Sequence, residues 1–228
     1  MTEPKEKPHY SGHRDRLRSR FAQGGVDALQ DYELLELILF MAIPRRDVKP
    51  LAKDLIAHFG SFAAVAHANI QDLTAFGLSE NCAIALKTIE ASALKMMKQD
   101  IANKPILNSW SKLLNYLHAS MALETNEQFR LLFLNKKNEL IADEVQQTGT
   151  VDHTPAYPRE IIKRALNLGA TAIILVHNHP SGDHRPSQPD ITLTQNIVGA
   201  ALPFDIVIHD HIIISKNGHT SFKAEGLI

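Results

Sequence analysis

Two histidines, one residue apart, close an apolar run, and a serine and an aspartate follow at fixed spacing. The stretch is TAIILVHNHPSGDHRPSQPD, from Thr171 to Asp190. His177 and His179 are i and i+2, so on an extended chain both side chains point to the same side. Two imidazoles and the Asp190 carboxylate can hold a divalent cation and leave one position open for water. Such a set suits catalytic Zn2+, and also non-haem Fe(II). Zinc lowers the pKa of its water to about 7, which gives a nucleophile at neutral pH. The chemistry also needs a base for the water proton and a group to steady an oxyanion. Ser187 is placed for the second role; the base must come from elsewhere. Ser187-x-x-Asp190 ahead of a helix is also close to a capping box, so the same pair has a purely structural reading.

The elements around these residues must position them. Ala172 to Val176 reads as a buried strand, and the histidines leave its end, where rigid support is best. Pro180, Gly182 and Pro186 tighten the loop. Ser187 is a natural N-cap for a helix from about Gln188 to Ala201, and Asp190 falls in its first turn, where the helix dipole favours a carboxylate. Upstream, Ser109 to Ala122 reads as a helix, Phe129 to Asn135 as an apolar strand, and Glu139 to Val145 as its hairpin partner across Lys136-Lys137-Asn138. A loop from Gln146 to Pro158 leads to an amphipathic helix, Arg159 to Leu168. Phe204 to Ile208 and Ile212 to Ser215 read as two further strands, and Thr220-Ser221-Phe222 as a third. This is a mixed sheet packed on helices.

The first hundred residues read as helices only: Ser11 to Gln23, a buried helix opened by Asp31 as N-cap, a third opened by Asp47 and stopped at Gly60, a short helix from Ser61 to Ala66, another short turn at Asn69 to Ala75, and a long helix from Ser79 to Lys98. We therefore expect a helical domain over 1–98, a linker over 99–108 that contains Pro105, and a metal-binding α/β domain over 109–228. The net charge of −1 gives no bulk attraction to nucleic acid or membrane. Residues 1–100 hold thirteen basic and thirteen acidic side chains. One cluster departs from this balance: Arg14, Arg16, Arg18 and Arg20, which suit either a solvated helix face or a phosphate contact. The single cysteine, Cys82, excludes a disulfide framework and a Cys-rich zinc site within one chain, and suits a reducing cytoplasm. The N-terminus lacks the apolar core of a signal peptide, and apolar runs stay well below the ~18–20 residues of a membrane span. The expectation is a soluble cytoplasmic protein with no membrane partner.

H-x-H, seven residues, then S-x-x-D is the JAMM (MPN+) motif of metal-dependent peptidases and isopeptidases, here His177-Asn178-His179, PSGDHRP, Ser187-Gln-Pro-Asp190. NEQFRLLFLNKKNELI, TGTVD, YPREIIKRAL, HNHPSGD and the late Asp210-His211-Ile-Ile-Ile resemble the RadC family, as does DYELLELILFMAIPRRDVKPLAKDLIAHFGS. The resemblance implies an MPN (cytidine-deaminase-like) fold, one zinc per chain on His177, His179 and Asp190, and a glutamate just before the first strand that handles the water proton. Glu127 holds that place, with Glu144 in reserve. Asn178 stands where many isopeptidases carry Ser or Thr. Asp210 or His211 could orient a ligand imidazole, and Arg159 and Glu160 complete the family pattern.

The N-terminal part resembles the tandem helix-hairpin-helix fold, whose Gly-hydrophobic-Gly turn presents N–H groups to a DNA phosphate. The turn here is Gly77-Leu78-Ser79, with serine in place of the second glycine. The resemblance thus implies a zinc-dependent hydrolase with a peptide or protein substrate. The alternative is a DNA-associated repair factor that holds DNA through its N-terminal hairpins, with the metal domain accessory or nuclease-like. A non-catalytic scaffold would normally lack the ligands, and an amidohydrolase barrel needs roughly 250 residues.

Overall fold

The computed structural model describes residues 12–102, 104–148 and 157–228. The chain divides into two compact units, Met1–Ala93 and Leu94–Ile228. Helices α1 (His13–Gly24), α2 (Asp31–Ala42), α3 (Lys49–Phe59), α4 (Phe62–His67) and α5 (Ile70–Phe76) belong to the first, and α6 (Glu80–Ile101) runs through the division. Leu35, Leu39, Leu55, Leu73 and Leu86 form its fully buried centre, with Cys82 beside them. The N-cap of α2 is Gln30 rather than Asp31, and Glu33 reaches back to accept from the Gln30 N–H at 3.0 Å. Between α5 and α6, Gly77 takes the left-handed φ of 117° that only glycine adopts freely. Ser79 follows as a cap, its hydroxyl accepting from the Cys82 N–H at 3.4 Å. The expected start of α1 at Ser11 lies outside the described residues.

The segment expected as a linker, 99–108, is not a free connection. Helix α6 continues past Lys98 to Ile101, and Ile101 and Ile106 are fully buried in the second unit's core. Polar Gln99 and Asp100 hide the apolar anchors that follow them.

The second unit holds α7 (Trp110–Met121), β1 (Gln128–Leu134), β2 (Leu140–Thr148), α8 (Pro158–Leu168), β3 (Ala172–Asn178), α9 (Gln188–Ala201), β4 (Val207–Ser215) and β5 (Gly218–Ser221). The sheet order is β2-β1-β3-β4-β5, and only β3 and β4 are parallel, joined through α9. Alternation sorts the central strands by face. Leu132, Leu134, Ile174, Val176, Ile212 and Ile214 pack with α7. Leu131, Phe133, Ile173 and Leu175 pack with α8 and α9. The sheet is therefore covered on both sides, and β3, buried at every residue, is its centre. Residues 149–156 of the expected loop over 146–158 lie outside the described residues.

One strand replaces two expected ones. Phe204 ends a short 3-10 turn, and β4 runs unbroken from Val207 to Ser215. The polar His209-Asp210-His211 reads as a break, yet it stays in the sheet. A register shift absorbs one residue, since Ile173 pairs with Ile208 and Ile174 with Asp210. Asp210 is 2% exposed but fully engaged, accepting from the Ser221 hydroxyl, the Lys223 N–H and the His211 N–H.

Candidate metal centre

Strand β3 carries His177 as one of its own residues, on the same face as Ile173 and Leu175 and so towards α9. His179 follows the strand, its N–H still bonded to the Ile214 carbonyl at 2.8 Å. Because β3 enters the sheet parallel to β4 through α9, the N-terminus of α9 lies beyond the carboxyl end of β3, the usual place for a site in such a crossover. Asp190 projects from that first turn. His177 Nε2 lies 2.9 Å from His179 Nε2 and 3.3 Å from Asp190 Oδ1, and His179 Nε2 lies 3.7 Å from Asp190 Oδ2. The three expected ligands thus converge.

Glu127 joins them. Strand β1 is antiparallel to β3 with Phe129 opposite His177, so extending the register by two residues sets Glu127 level with His179. A carboxylate oxygen of Glu127 and ring nitrogens of His177 and His179 all lie within 4.8 Å of one another.

The proton positions follow from the acceptors around the rings. His179 Nδ1 contacts the Asp183 carbonyl at 2.7 Å; a carbonyl only accepts, so Nδ1 carries the hydrogen of the neutral ring and Nε2 its lone pair. His177 is fixed less directly. Thr194 donates its hydroxyl hydrogen to the Asp190 carbonyl at 2.6 Å, so it can only accept from His211 Nδ1, also at 2.6 Å. His211 is fully buried, and burial drives its pKa well below the usual histidine value, so it is neutral with a bare Nε2. That nitrogen accepts from His177 Nδ1 at 2.8 Å, which leaves the lone pair of His177 on Nε2.

With both rings neutral, two bare imidazole nitrogens face each other at 2.9 Å beside a carboxylate, an arrangement that a proton on His179 or a bound cation relieves. Two nitrogens on one tetrahedral zinc sit roughly 3.3 Å apart for bonds near 2.0–2.1 Å. The donor set is acceptor-only, near that spacing, and fits a divalent cation. Burial works to raise the Asp190 carboxyl, but the His177 and His179 imidazoles and the Ser187 hydroxyl outweigh it and hold the group far below the usual carboxylate range.

Comparison with known families identifies the unit that holds this arrangement. The family described as "RadC-like JAB domain" matches residues 107–227, and that described as "UPF0758 N-terminal" matches residues 11–84. The chain belongs to the RadC family. Its C-terminal unit has the JAB fold of JAMM-type metal-dependent hydrolases, and among its described residues no helix is long and apolar enough to cross a membrane.

The other expected site residues of this RadC chain fall in distinct places. Glu144, the reserve base, is held by Arg164 of α8 at 2.5 Å, and that contact lowers its pKa. Ser187 accepts from the Asp190 N–H at 3.3 Å and donates its only hydroxyl hydrogen to Asp190 Oδ2 at 2.5 Å, so the proton expected for an oxyanion is committed to Asp190. Arg159 and Glu160 pair with each other at the start of α8. Of Asp210 and His211, only His211 touches a ligand.

Two functional positions escape sequence reasoning. Thr194 ends the chain of rings; its signal was its place four residues after Asp190, one turn on along the same helix face. Asn178, buried and on the face opposite the ligands, accepts from the Gln128 N–H at 2.7 Å and donates to the Asn126 carbonyl at 3.1 Å. Its amide spans the peptide units on both sides of Glu127 and so fixes where that carboxylate stands. Nothing in the i+1 position between two ligands announces such a clamp.

Proposed function

We propose that the C-terminal unit is a zinc-dependent hydrolase that cleaves a peptide or isopeptide bond, with His177, His179 and Asp190 as the protein ligands. The observation that carries this reading is the acceptor-only convergence of two bare imidazole nitrogens and one carboxylate, with Glu127 alongside but not buried under them. Zinc held there would act as a Lewis acid and make water acidic enough to attack at neutral pH. Glu127 takes a proton from the attacking water and returns it to the leaving amine as the C–N bond breaks and a C–O bond forms. Asn178 keeps Glu127 in reach. Ser187 keeps Asp190 aimed through its N–H and hydroxyl, and serves an oxyanion only when the hydroxyl turns away from Asp190.

The test is metal analysis joined to turnover. Protein purified without added metal should carry close to one zinc per chain, and His177→Ala should lose it. Glu127→Gln should keep zinc and lose hydrolysis of a panel of linear and isopeptide-linked peptides. Zinc-free native protein overturns the metal assignment, and undiminished hydrolysis by Glu127→Gln overturns the base.

A further inference from the structure

The arginine cluster of α1 remains unused by the metal centre, and the fold divides its members. Arg20 is spent on structure, forked onto Glu33 at 2.8 and 2.9 Å. Arg14 and Arg18 turn instead to a cavity of about 260 Å3, whose lining also takes in Arg45, Arg46 and Phe40. All of these belong to the first unit.

Arg14 is built in. Its guanidinium carbon lies 4.4 Å from the centre of the Phe40 ring, and Arg18 lies over the same ring at 5.9 Å. Nη2 of Arg14 donates both hydrogens, to the carbonyls of Ile43 and Arg46 at 2.6 Å each. These are backbone groups, so the positive charge is not neutralised. Nη1 and Nε keep three N–H hydrogens with no partner among the described residues. A guanidinium anchored along one edge and free on the other is suited to a bidentate oxyanion. Around it, neither Arg45 nor Arg46 has a carboxylate within ion-pair distance among the described residues, and Arg18 meets Asp15 only at 3.6 Å. The first turn of α1, twelve residues long, opens at the same cavity and adds the positive end of its dipole.

We infer that this cavity is an anion site that takes the phosphate group of a small phosphorylated ligand, no larger than a mononucleotide. Size and charge favour a small ligand over a polymer. Asp15 and Asp47 line the cavity beside the four arginines, which limits the anionic charge it can take, and the balance of thirteen basic and thirteen acidic residues over 1–100 offers no track for a long polyanion. Arg14, Arg18 and Arg46 grip the phosphate, and Phe40 backs the guanidiniums of Arg14 and Arg18.

The test is calorimetric titration of the full chain with inorganic pyrophosphate, AMP and a short DNA duplex. AMP or pyrophosphate should bind once per chain. Arg18→Gln and Arg46→Gln should each weaken binding about tenfold, the loss of roughly one charge-assisted contact, with unchanged melting temperatures. Lys53→Gln, outside the cavity, should leave binding unchanged. Binding should survive His177→Ala, which separates this site from phosphate held at the metal centre. No saturable binding of either small ligand, or binding unaltered in Arg18→Gln/Arg46→Gln, would overturn the proposal. Duplex binding with a steep salt dependence and none of the small ligands would also overturn it, in favour of nucleic acid.

Discussion

Replacing His211 with phenylalanine tests whether the chain Thr194–His211–His177 sets the metal-binding face of His177. The ring of His211 lies 4.5 Å from that of Phe222 and 5.7 Å from that of Phe129, so phenylalanine keeps an aromatic ring in that packing, one atom larger, and removes both nitrogens. His177 Nδ1–H, at a residue 1% exposed, then has no acceptor. A buried donor left alone costs about 1–3 kcal/mol. His177 can escape that cost by moving its hydrogen to Nε2, which blocks the ligand nitrogen. Either route lowers zinc affinity by about 10–100-fold, the range found when such supporting groups are lost.

Thr194→Val makes the milder version of this change. It removes the acceptor of His211 Nδ1, worth about 1 kcal/mol or roughly fivefold, and frees His211 to place its hydrogen on Nε2, against His177. Competition with a chromophoric zinc chelator reads both effects. Imidazole nitrogen shifts in the metal-free protein report the tautomer directly. If one relay carries both losses, the double variant binds zinc as His211→Phe does, because the downstream step is already broken. Wild-type affinity in the folded variants, or losses that add, would refute the relay.

Other perturbations probe the remaining parts. Asn178→Ala removes both bonds that bracket Glu127, so peptide hydrolysis should fall at least tenfold while the zinc content stays near one per chain; loss of zinc instead would make Asn178 a support of the ligands. In the metal-free protein burial opposes a charge on His179, but Asp190 and the Asp183 carbonyl prevail and raise its pKa above 6.5. Protons therefore compete for His179 above that pH, and zinc affinity should still be rising with pH beyond 6.5 and fall as pH drops through it, which chelator titrations across pH would show. Ile174→Ala, at the fully buried middle of β3, should cost about 2–5 kcal/mol in denaturant unfolding of the second unit, whereas a cost below 1 kcal/mol would deny β3 its central place.

Much of the centre was legible because it is local in sequence. His177, His179, Ser187 and Asp190 lie within fourteen residues, and one strand, one tight loop and one helix start fix their relative positions. Glu127 needed the sheet: it reaches His179 only because β1 is antiparallel to β3, a pairing that spans fifty residues and came into view through family resemblance. His211 and Asp210 were both plausible as supports. Strand alternation separates them, since His211 faces the ligands with Leu175 and Asp210 faces away to Ser221. The two strands expected around His209 merged because a single-residue bulge keeps the polar triplet in the sheet, and no local pattern marks a bulge whose polar groups are satisfied by distant partners.

The capping box and the metal ligand, set against each other on sequence, describe one object. Asp190 Oδ2 takes the capping bonds, from the Ser187 N–H at 2.8 Å and its hydroxyl at 2.5 Å, while Oδ1 takes neither and faces His177. The cap thus immobilises one oxygen and leaves the other for the cation. Carboxylate ligands held by hydrogen bonds lose less freedom on binding a metal, so the cap lowers the cost of assembling the centre. The consequence separates the two roles. Ser187→Ala removes the hydroxyl but leaves the N–H, and helix α9 should lose only about 1 kcal/mol from its cap. If the cap also aims the ligand, zinc affinity falls as well, by up to about tenfold, with the helix intact. A variant that loses stability but binds zinc as the native protein does would reduce the Ser187 hydroxyl to a helix cap, with the backbone N–H at 2.8 Å enough to aim Asp190.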